Sequence, residues 1–222
     1  MKKFSKYIVP VACIFLLASA CKKNYLTDSG LHDPRTPLNN YDYLAAHPWG
    51  LFDTLLLIVD RFDGLEAQLN EAATFFAPTD YSIARTITLR LQQRQAINPL
   101  ATYTLDSLID QITADSVRQY LFNDRIVLDE AQELQSKPYT SIAGTSHGVM
   151  KELQTGTYQE RSTAPTFLLY FAKVRGAVDV PGSIPPPNES DIRVVCQTSG
   201  ILTNNGGTVL HVLSNTHSFV TF

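Results

Sequence analysis

The stretch TFFAPTD, residues 74–80, establishes the pattern from which the rest of the fold can be predicted. Its first four residues form a short apolar run typical of a buried β-strand. Pro78 ends that run, because proline has no backbone N–H to donate to a sheet. Thr79 or Asp80 then stands where a helix N-cap belongs, ahead of apolar residues at helical spacing. The stretch therefore predicts a strand that passes directly into a helix.

Helical spacing also dominates the chain on the N-terminal side of this stretch. Asn40 is placed to cap a short helix that Pro48 interrupts. A second helix, which Gly64 ends, is predicted by apolar residues that recur every three or four positions: Phe52, Leu55, Leu56, Val59 and Phe62. Two further helical patterns follow the stretch, one at 105–112 and one at 117–121.

Beyond these helices the spacing becomes strand-like. Candidate strands are predicted at residues 126–128, 139–143, 149–153, 167–172, 192–197 and 209–213. The loop 179–191 is long and rich in proline, which excludes a central strand and indicates a surface excursion. Helices first and strands later predict the α+β class.

Two motifs at opposite ends of the chain resemble a known family. Residues 74–80 closely resemble the first signature of fasciclin (FAS1) domains, usually written TVFAPTN, and NGGTVLHVL at 205–213 is similar to that family's terminal stretch. The resemblance covers residues 40–222 and implies a single FAS1-like domain, a β-sandwich wedge packed with N-terminal helices. It marks signature positions as structural or interaction residues: Thr74, Ala77, Pro78, Thr79, Asp80 and His211.

The chain departs from the family pattern at three places. The family's central Tyr-His pair should fall near Phe122 and Asn123, where neither residue is present. Asp80 replaces an asparagine and Tyr81 replaces an acidic residue. Asp80 can still cap a helix, but the exposed chemistry beside it is altered. A role tied to the Tyr-His pair is therefore not carried over to this chain.

The N-terminus has the pattern of a lipoprotein signal. Three lysines precede an apolar run from residue 8 to 17, which is too short to span a bilayer and ends in small residues before Cys21. The stretch before Cys21 resembles the bacterial lipobox, although Leu17 lies one place further from the cysteine than is usual. We expect a signal at 1–21, lipid attachment at Cys21 and a tether at 22–39. The alternative is an ordinary secreted protein cleaved near Cys21.

Charge and cysteine content narrow the choice of partners. Removing the signal with its three lysines lowers the formal net charge from -3 to -6, and no basic stripe with interleaved aromatics follows, so nucleic acid is not an expected partner.

Cys13 leaves with the signal and Cys21 is acylated, which leaves Cys196 as a buried small hydrophobe rather than half of a disulfide. The histidines form no short-spaced ligand cluster, and residues 204–207 are typical of a hairpin turn, so neither a metal nor a cofactor is expected.

A five-residue motif at 144–148 resembles an active-site signature of hydrolases. GTSHG at 144–148 matches the G-x-S-x-G nucleophile elbow, and Asp179, Asp191 and His211 follow in the order of a catalytic triad. The elbow needs a strand that turns sharply into a helix, whereas residues 149–153 alternate like a strand. We therefore expect no enzymatic activity.

The expected function is adhesion or extracellular recognition, by analogy with the family. Candidate contact residues for a protein or glycan ligand are Trp49, Tyr103, Tyr139 and Tyr158. The alternative is an accessory lipoprotein subunit of an outer-membrane glycan or nutrient import complex with a porin-type partner. Lys22 after the cysteine favours the outer membrane, at the cell surface or the periplasmic face.

Overall fold

The computed structural model describes residues 33–155, 165–186 and 188–220. The expected signal with Cys21, the tether residues 22–32 and the candidate contact residue Tyr158 lie outside these ranges. No helix within them is both long and apolar enough to cross a bilayer.

Six α-helices in the described residues precede most of the strands along the chain, and the last of them ends at Arg118. They are α1 (Asn40–Ala45), α2 (Asp53–Asp60), α3 (Leu65–Glu71), α4 (Asp80–Gln95), α5 (Leu105–Ile109) and α6 (Asp115–Arg118) in the part of the chain that the structure describes. Asn39, rather than Asn40, caps α1 by accepting from the Asp42 N–H at 2.7 Å. Asn40 is buried instead and donates from its amide to the Leu69 carbonyl at 2.7 Å.

The strands form one sheet in the order β2-β1-β7-β6-β5-β4-β3. They are β1 (Thr74–Ala77), β2 (Leu121–Phe122), β3 (Lys137–Thr140), β4 (Ser146–Leu153), β5 (Phe167–Lys173), β6 (Ile192–Thr203) and β7 (Thr208–Leu213). All neighbouring pairs are antiparallel except β1 and β7, which run parallel with Phe76 opposite His211. The chain is thus a mixed fold of helices and a seven-stranded sheet.

The sheet curls until its two ends nearly meet. β6 pairs with β5 through its first residues and with β7 from Cys196 onward, and its register shifts twice along the β7 side. At the opposite side of the curl, the Ile142 N–H just after β3 donates to the Leu121 carbonyl of β2 at 2.8 Å. This bond joins the two strands that end the order, so the sheet is nearly closed.

Aromatic side chains fill the space inside the curl. Phe76 of β1 stacks on Phe171 of β5 at 4.5 Å between ring centroids and contacts Phe122 of β2 edge to face at 5.6 Å. His147 of β4 stacks on the same Phe171 ring at 4.7 Å. Side chains from opposite parts of the strand order therefore meet in one core, which holds the curl together.

The structure differs from the predicted elements at three places. Residues 126–128 form no strand, because the Ile126 N–H donates to the Thr74 hydroxyl at 2.8 Å instead of to a neighbouring strand. Leu121, predicted as helical, lies in β2. Residues 34–38, expected to belong to the tether, hydrogen-bond to the end of β6, as in the 2.8 Å bond from Thr36 N–H to the Leu202 carbonyl.

Candidate functional site

Asp80 joins two helices at the point where β1 passes into α4. Its carboxylate accepts from the Thr54 and Leu55 N–H groups at 2.9 and 3.1 Å. These are first-turn donors of α2 that have no partner within that helix, and Phe52, which precedes α2, supplies no side-chain cap. Asp80 therefore caps α2 from a distance while it opens α4.

The other residues of the first signature are buried and hydrogen-bonded. Thr79 donates its hydroxyl to Asn215 Oδ1 at 2.8 Å, which ties the start of α4 to the segment after β7. Thr74 donates its hydroxyl to the Asp124 carbonyl at 2.8 Å and accepts from Ile126. Ala77 is fully buried at the end of β1, ahead of Pro78.

His211 on β7 lies inside the core, with both ring nitrogens engaged by the backbone. Nδ1 accepts from the Gly200 N–H at 3.2 Å, so Nε2 carries the proton and donates to the Ile126 carbonyl at 3.0 Å. The ring stacks on Phe76 at 4.8 Å. Burial lowers the pKa of His211 to about 4, which keeps the ring neutral at pH 7. The geometry is that of a structural residue that connects β7 to the loop after β2.

A groove opens beside Asp80 on the outer face of the helices. It has a volume of about 680 Å³ and is lined by Trp49, Leu51, Thr54, Asp80, Tyr81 and Asn215. Trp49 is 85% exposed and Tyr81 is 61% exposed. Aromatic rings of this size usually stabilise a protein core by being buried, whereas these two face solvent. Two exposed aromatic rings at one concave site are unusual on a monomer surface and indicate a contact site. We call this site the Trp49–Tyr81 groove.

The turn that carries Trp49 is held in place by its neighbours. The Gly50 N–H donates to the His47 carbonyl at 3.1 Å, and Gly50 has a positive φ of 55°. A Cβ at position 50 would lie 2.6 Å from Asp53 Oδ2, so the turn needs glycine there. The His47 ring meets the Trp49 ring edge to face at 5.6 Å. The indole is thus presented to solvent from an ordered turn.

The sequence predicts Trp49 as a contact residue but does not predict that Tyr81 and Asn215 line the same site. Tyr81 stands out in the sequence only as a departure from the family signature. Its exposure could have been predicted from its place on α4, because Ser82, Ile83 and Thr86 form the buried face of that helix. No sequence signal marks Asn215, which reaches the groove through its bond with Thr79.

Two other candidate contact residues, Tyr103 and Tyr139, lie within the described part of the chain and do not join the groove. Tyr103 is 5% exposed, and its hydroxyl donates to Gln111 at 2.9 Å while the Arg94 guanidinium lies over its ring. Tyr139 is half-buried on β3, where it packs against the core and under the Lys137 ammonium. Neither offers a free aromatic face.

The residues of the hydrolase-like motif lie apart from one another in the structure. Ser146 is the first residue of β4 and pairs with Thr140, and the strand continues to Leu153 without a helix. Asp191 instead accepts from the Arg175 and Asp179 N–H groups at 3.0 Å, at the base of the proline-rich loop. The two ring nitrogens of His211 are bonded elsewhere, as described above.

Two other histidines, His147 and His217, are also buried. His217 Nε2 and the Tyr120 hydroxyl are hydrogen-bonded at 2.8 Å, so a buried Tyr-His contact forms from positions other than those of the family pair. His147 Nε2 bonds to the Thr145 hydroxyl at 2.9 Å. Among the described residues, no group of three metal-ligating side chains converges. Cys196 is buried, and burial raises the pKa of its thiol.

Comparison with known proteins gives no family assignment. No protein-family model matches this chain, and no curated protein sequence matches it either.

Proposed function

We propose that this protein is an envelope lipoprotein, anchored through Cys21, whose FAS1-like domain mediates adhesion or extracellular recognition at the Trp49–Tyr81 groove. The observation that carries the proposal is a groove lined by two exposed aromatic rings, 85% and 61% accessible, together with the polar side chains of Asp80 and Asn215. Aromatic residues at such sites supply large contact areas at small entropic cost.

The hydrogen bonds that the signature residues make support the FAS1-like assignment. Asp80 and Thr79 connect the start of α4 to α2 and to Asn215. His211 connects β7 to Ile126, and β7 lies directly beside β1. The two motifs that resemble the family therefore meet in space as neighbouring strands, which supports reading them as parts of one domain.

The hydrogen bonds around the groove favour binding over chemistry. Its one carboxylate, Asp80, already accepts two backbone N–H bonds, and its walls belong to α2, α4 and an ordered turn. A prearranged surface loses little conformational entropy when a ligand binds. We therefore propose a non-catalytic role, with the domain held at the outer membrane, on the surface or the periplasmic face, by the acyl anchor.

Cell attachment tests the proposed role directly. Cells that display the full-length chain should bind an extracellular matrix or a neighbouring cell layer, and the double variant Trp49→Ala/Tyr81→Ala should lose most of that attachment. The matched control is Leu57→Ala, which removes a side chain of similar exposure, 57%, outside the groove. Attachment that survives the double variant unchanged would remove the groove from the proposal.

The anchor has its own test. Mass spectrometry of the protein from its native host should find Cys21 acylated, and Cys21→Ser should release the domain from membranes. Protease shaving of intact cells then distinguishes the two faces of the envelope, because only a surface-exposed domain is cleaved. A fully protected domain would exclude adhesion between cells.

The alternative is an accessory subunit of an outer-membrane glycan or nutrient import complex. The exposed Trp49 and Tyr81 rings support it too, because exposed aromatic rings supply contact area for a ligand at the protein surface. Purification from native membranes separates the two roles: a stoichiometric porin-type partner supports the import role, whereas a lone protein supports adhesion.

A further inference from the structure

We infer that the ligand of the Trp49–Tyr81 groove is a glycan of several sugar rings, one of which stacks on the Trp49 indole. This inference rests on the proposed recognition function and names its ligand class. A pyranose ring has a flat face of C–H groups and a rim of hydroxyls, so it needs an aromatic platform beside groups that both donate and accept hydrogen bonds.

Two lining residues of the groove, Asp80 and Asn215, supply both kinds of polar group. Asn215 Oδ1 is occupied by the Thr79 hydroxyl at 2.8 Å, which leaves the two N–H bonds of the amide as donors. Each Asp80 oxygen accepts one backbone N–H and keeps a further acceptor position. Both residues line the groove. Their orientation is set by the protein before any ligand arrives, which favours ordered hydroxyl recognition.

The groove is longer than one sugar ring. A second depression of about 520 Å³ shares Tyr81 and Asn215 with the first and continues past Arg85 to Gln92 on α4. At 1.5 Å per residue, the path along the helix from residue 81 to residue 92 is roughly 16 Å. Arg85 donates to Ser218 through Nε at 3.1 Å, so its terminal nitrogens remain available to hydroxyl or carboxylate groups of the ligand.

The distribution of apolar surface favours a glycan over a lipid or an apolar peptide. Lipids and amphipathic helices need a contiguous apolar surface, whereas the lining of this groove includes a carboxylate and an amide as well as the two rings. A proline-rich segment also docks between aromatic rings and is the strongest competitor. A proline-rich segment carries few hydroxyl groups, so the hydrogen-bonding groups of Asp80 and Asn215 would find few partners on it.

The position of the single tryptophan makes the inference directly measurable. Trp49 is the only tryptophan of the chain, so fluorescence that is excited at wavelengths beyond the tyrosine absorption band reports on the groove. The full-length protein in detergent is first passed over an array of neutral and acidic oligosaccharides and is then titrated with each one retained. We expect the retained glycans to quench or shift the Trp49 emission saturably. Tyr81→Ala should weaken binding about ten-fold, and Leu57→Ala should leave it unchanged.

The possible results of this experiment distinguish the glycan inference from the proposed recognition function. If the array retains nothing, or retains the wild type and Trp49→Ala/Tyr81→Ala equally, the glycan inference is overturned. A proline octapeptide that shifts the Trp49 emission while no glycan does would also overturn it, yet would leave recognition at the groove intact. Loss of cell attachment in the double variant without any glycan binding supports the proposed function alone. Glycan binding without attachment supports the inference and moves the function toward import.

Discussion

At the residue scale, Asp80 has the widest structural effect of the signature positions. One carboxylate satisfies two N–H groups at the start of α2, and the backbone of the same residue donates to the Leu51 carbonyl at 2.9 Å. The side chain that lines the groove thus also fixes the segment from Gly50 to Leu55. Stability and ligand binding should therefore change together when Asp80 is replaced.

Asp80→Ala should destabilise the fold by about 1–2 kcal/mol, since it removes a helix cap and leaves two N–H groups without an acceptor. Urea unfolding monitored by circular dichroism measures the loss as a lower midpoint. Asp106→Ala is the matched control, because Asp106 is an exposed first-turn acid of α5 whose side chain accepts no hydrogen bond in the described structure. Equal effects of the two substitutions would contradict the capping role.

The buried histidines should make stability depend on pH. Burial lowers the pKa of His147 and of His211 to about 4, and burial together with the nearby His147 lowers the pKa of His217 to about 3. The unfolded chain takes up these protons below about pH 6.5. Between about pH 6.5 and 4 the unfolded state therefore binds more protons than the folded state, and the free energy of unfolding falls as the pH falls.

The urea midpoint should be highest above pH 7 and should decline from pH 6.5 to 5. Each histidine contributes a slope of up to about 1.4 kcal/mol per pH unit. His211→Gln keeps a donor for the Ile126 carbonyl but cannot titrate, so its slope should be visibly shallower. A variant slope equal to that of the wild type would show that His211 does not contribute.

At the element scale, the strand-to-helix passage at 74–80 was predicted because its cues are local: an apolar run, a proline and a cap. β2 and the loop after it were not predicted, because their structure depends on distant partners. Leu121 has helical spacing to Val117 but pairs with Phe75 of β1. Ile126 has the composition of a strand residue, yet its N–H and carbonyl bond to side chains, Thr74 and His211, rather than to a strand.

The β3–β4 pair has a close contact that can be tested. A Cβ on Gly148 would overlap the Ser136 hydroxyl and would lie 3.7 Å from the Ala172 Cβ. The Ser136 hydroxyl is itself buried and has no hydrogen-bond partner within the described structure. Gly148→Ala should therefore destabilise the protein by about 1–3 kcal/mol, whereas Ser136→Ala alone should change little.

Combining the two substitutions gives a double-mutant cycle. Ser136→Ala removes the oxygen that the new methyl group meets, so the double variant should recover about 1 kcal/mol relative to Gly148→Ala. Chemical denaturation of the four proteins supplies the coupling energy. Additive effects would mean that the strain arises elsewhere.

At the scale of the whole molecule, the nearly closed sheet should unfold as one unit. The Ile142 N–H, which joins the two ends of the sheet, should exchange with solvent only when the domain unfolds globally. The Ser183 N–H is a matched control, because it donates to the Val180 carbonyl at 3.0 Å within the proline-rich loop. Hydrogen exchange should give Ser183 an opening free energy several kcal/mol lower. Similar values for the two amides would show that the sheet opens at Ile142.

The groove shows which parts of a binding site can be predicted from sequence. Trp49 stands out by residue type, but only the fold shows that it is exposed while Tyr103 is buried. Tyr81 and Asn215 are 134 positions apart in the numbering and meet only because Thr79 bonds to Asn215. Helix periodicity could have placed Tyr81 on the outer face of α4; no local rule could have placed Asn215 beside it.

The parallel pairing of β1 with β7 has a consequence for the timing of folding. Phe76 of β1 lies opposite His211 of β7, so β1 is synthesised long before the strand with which it pairs. Pairings of such long sequence separation make folding slow. In a chain exported as we propose, β1 stays without β7 until nearly the whole polypeptide has crossed the inner membrane. In such an exported chain, this topology would delay formation of the compact domain until translocation is nearly complete.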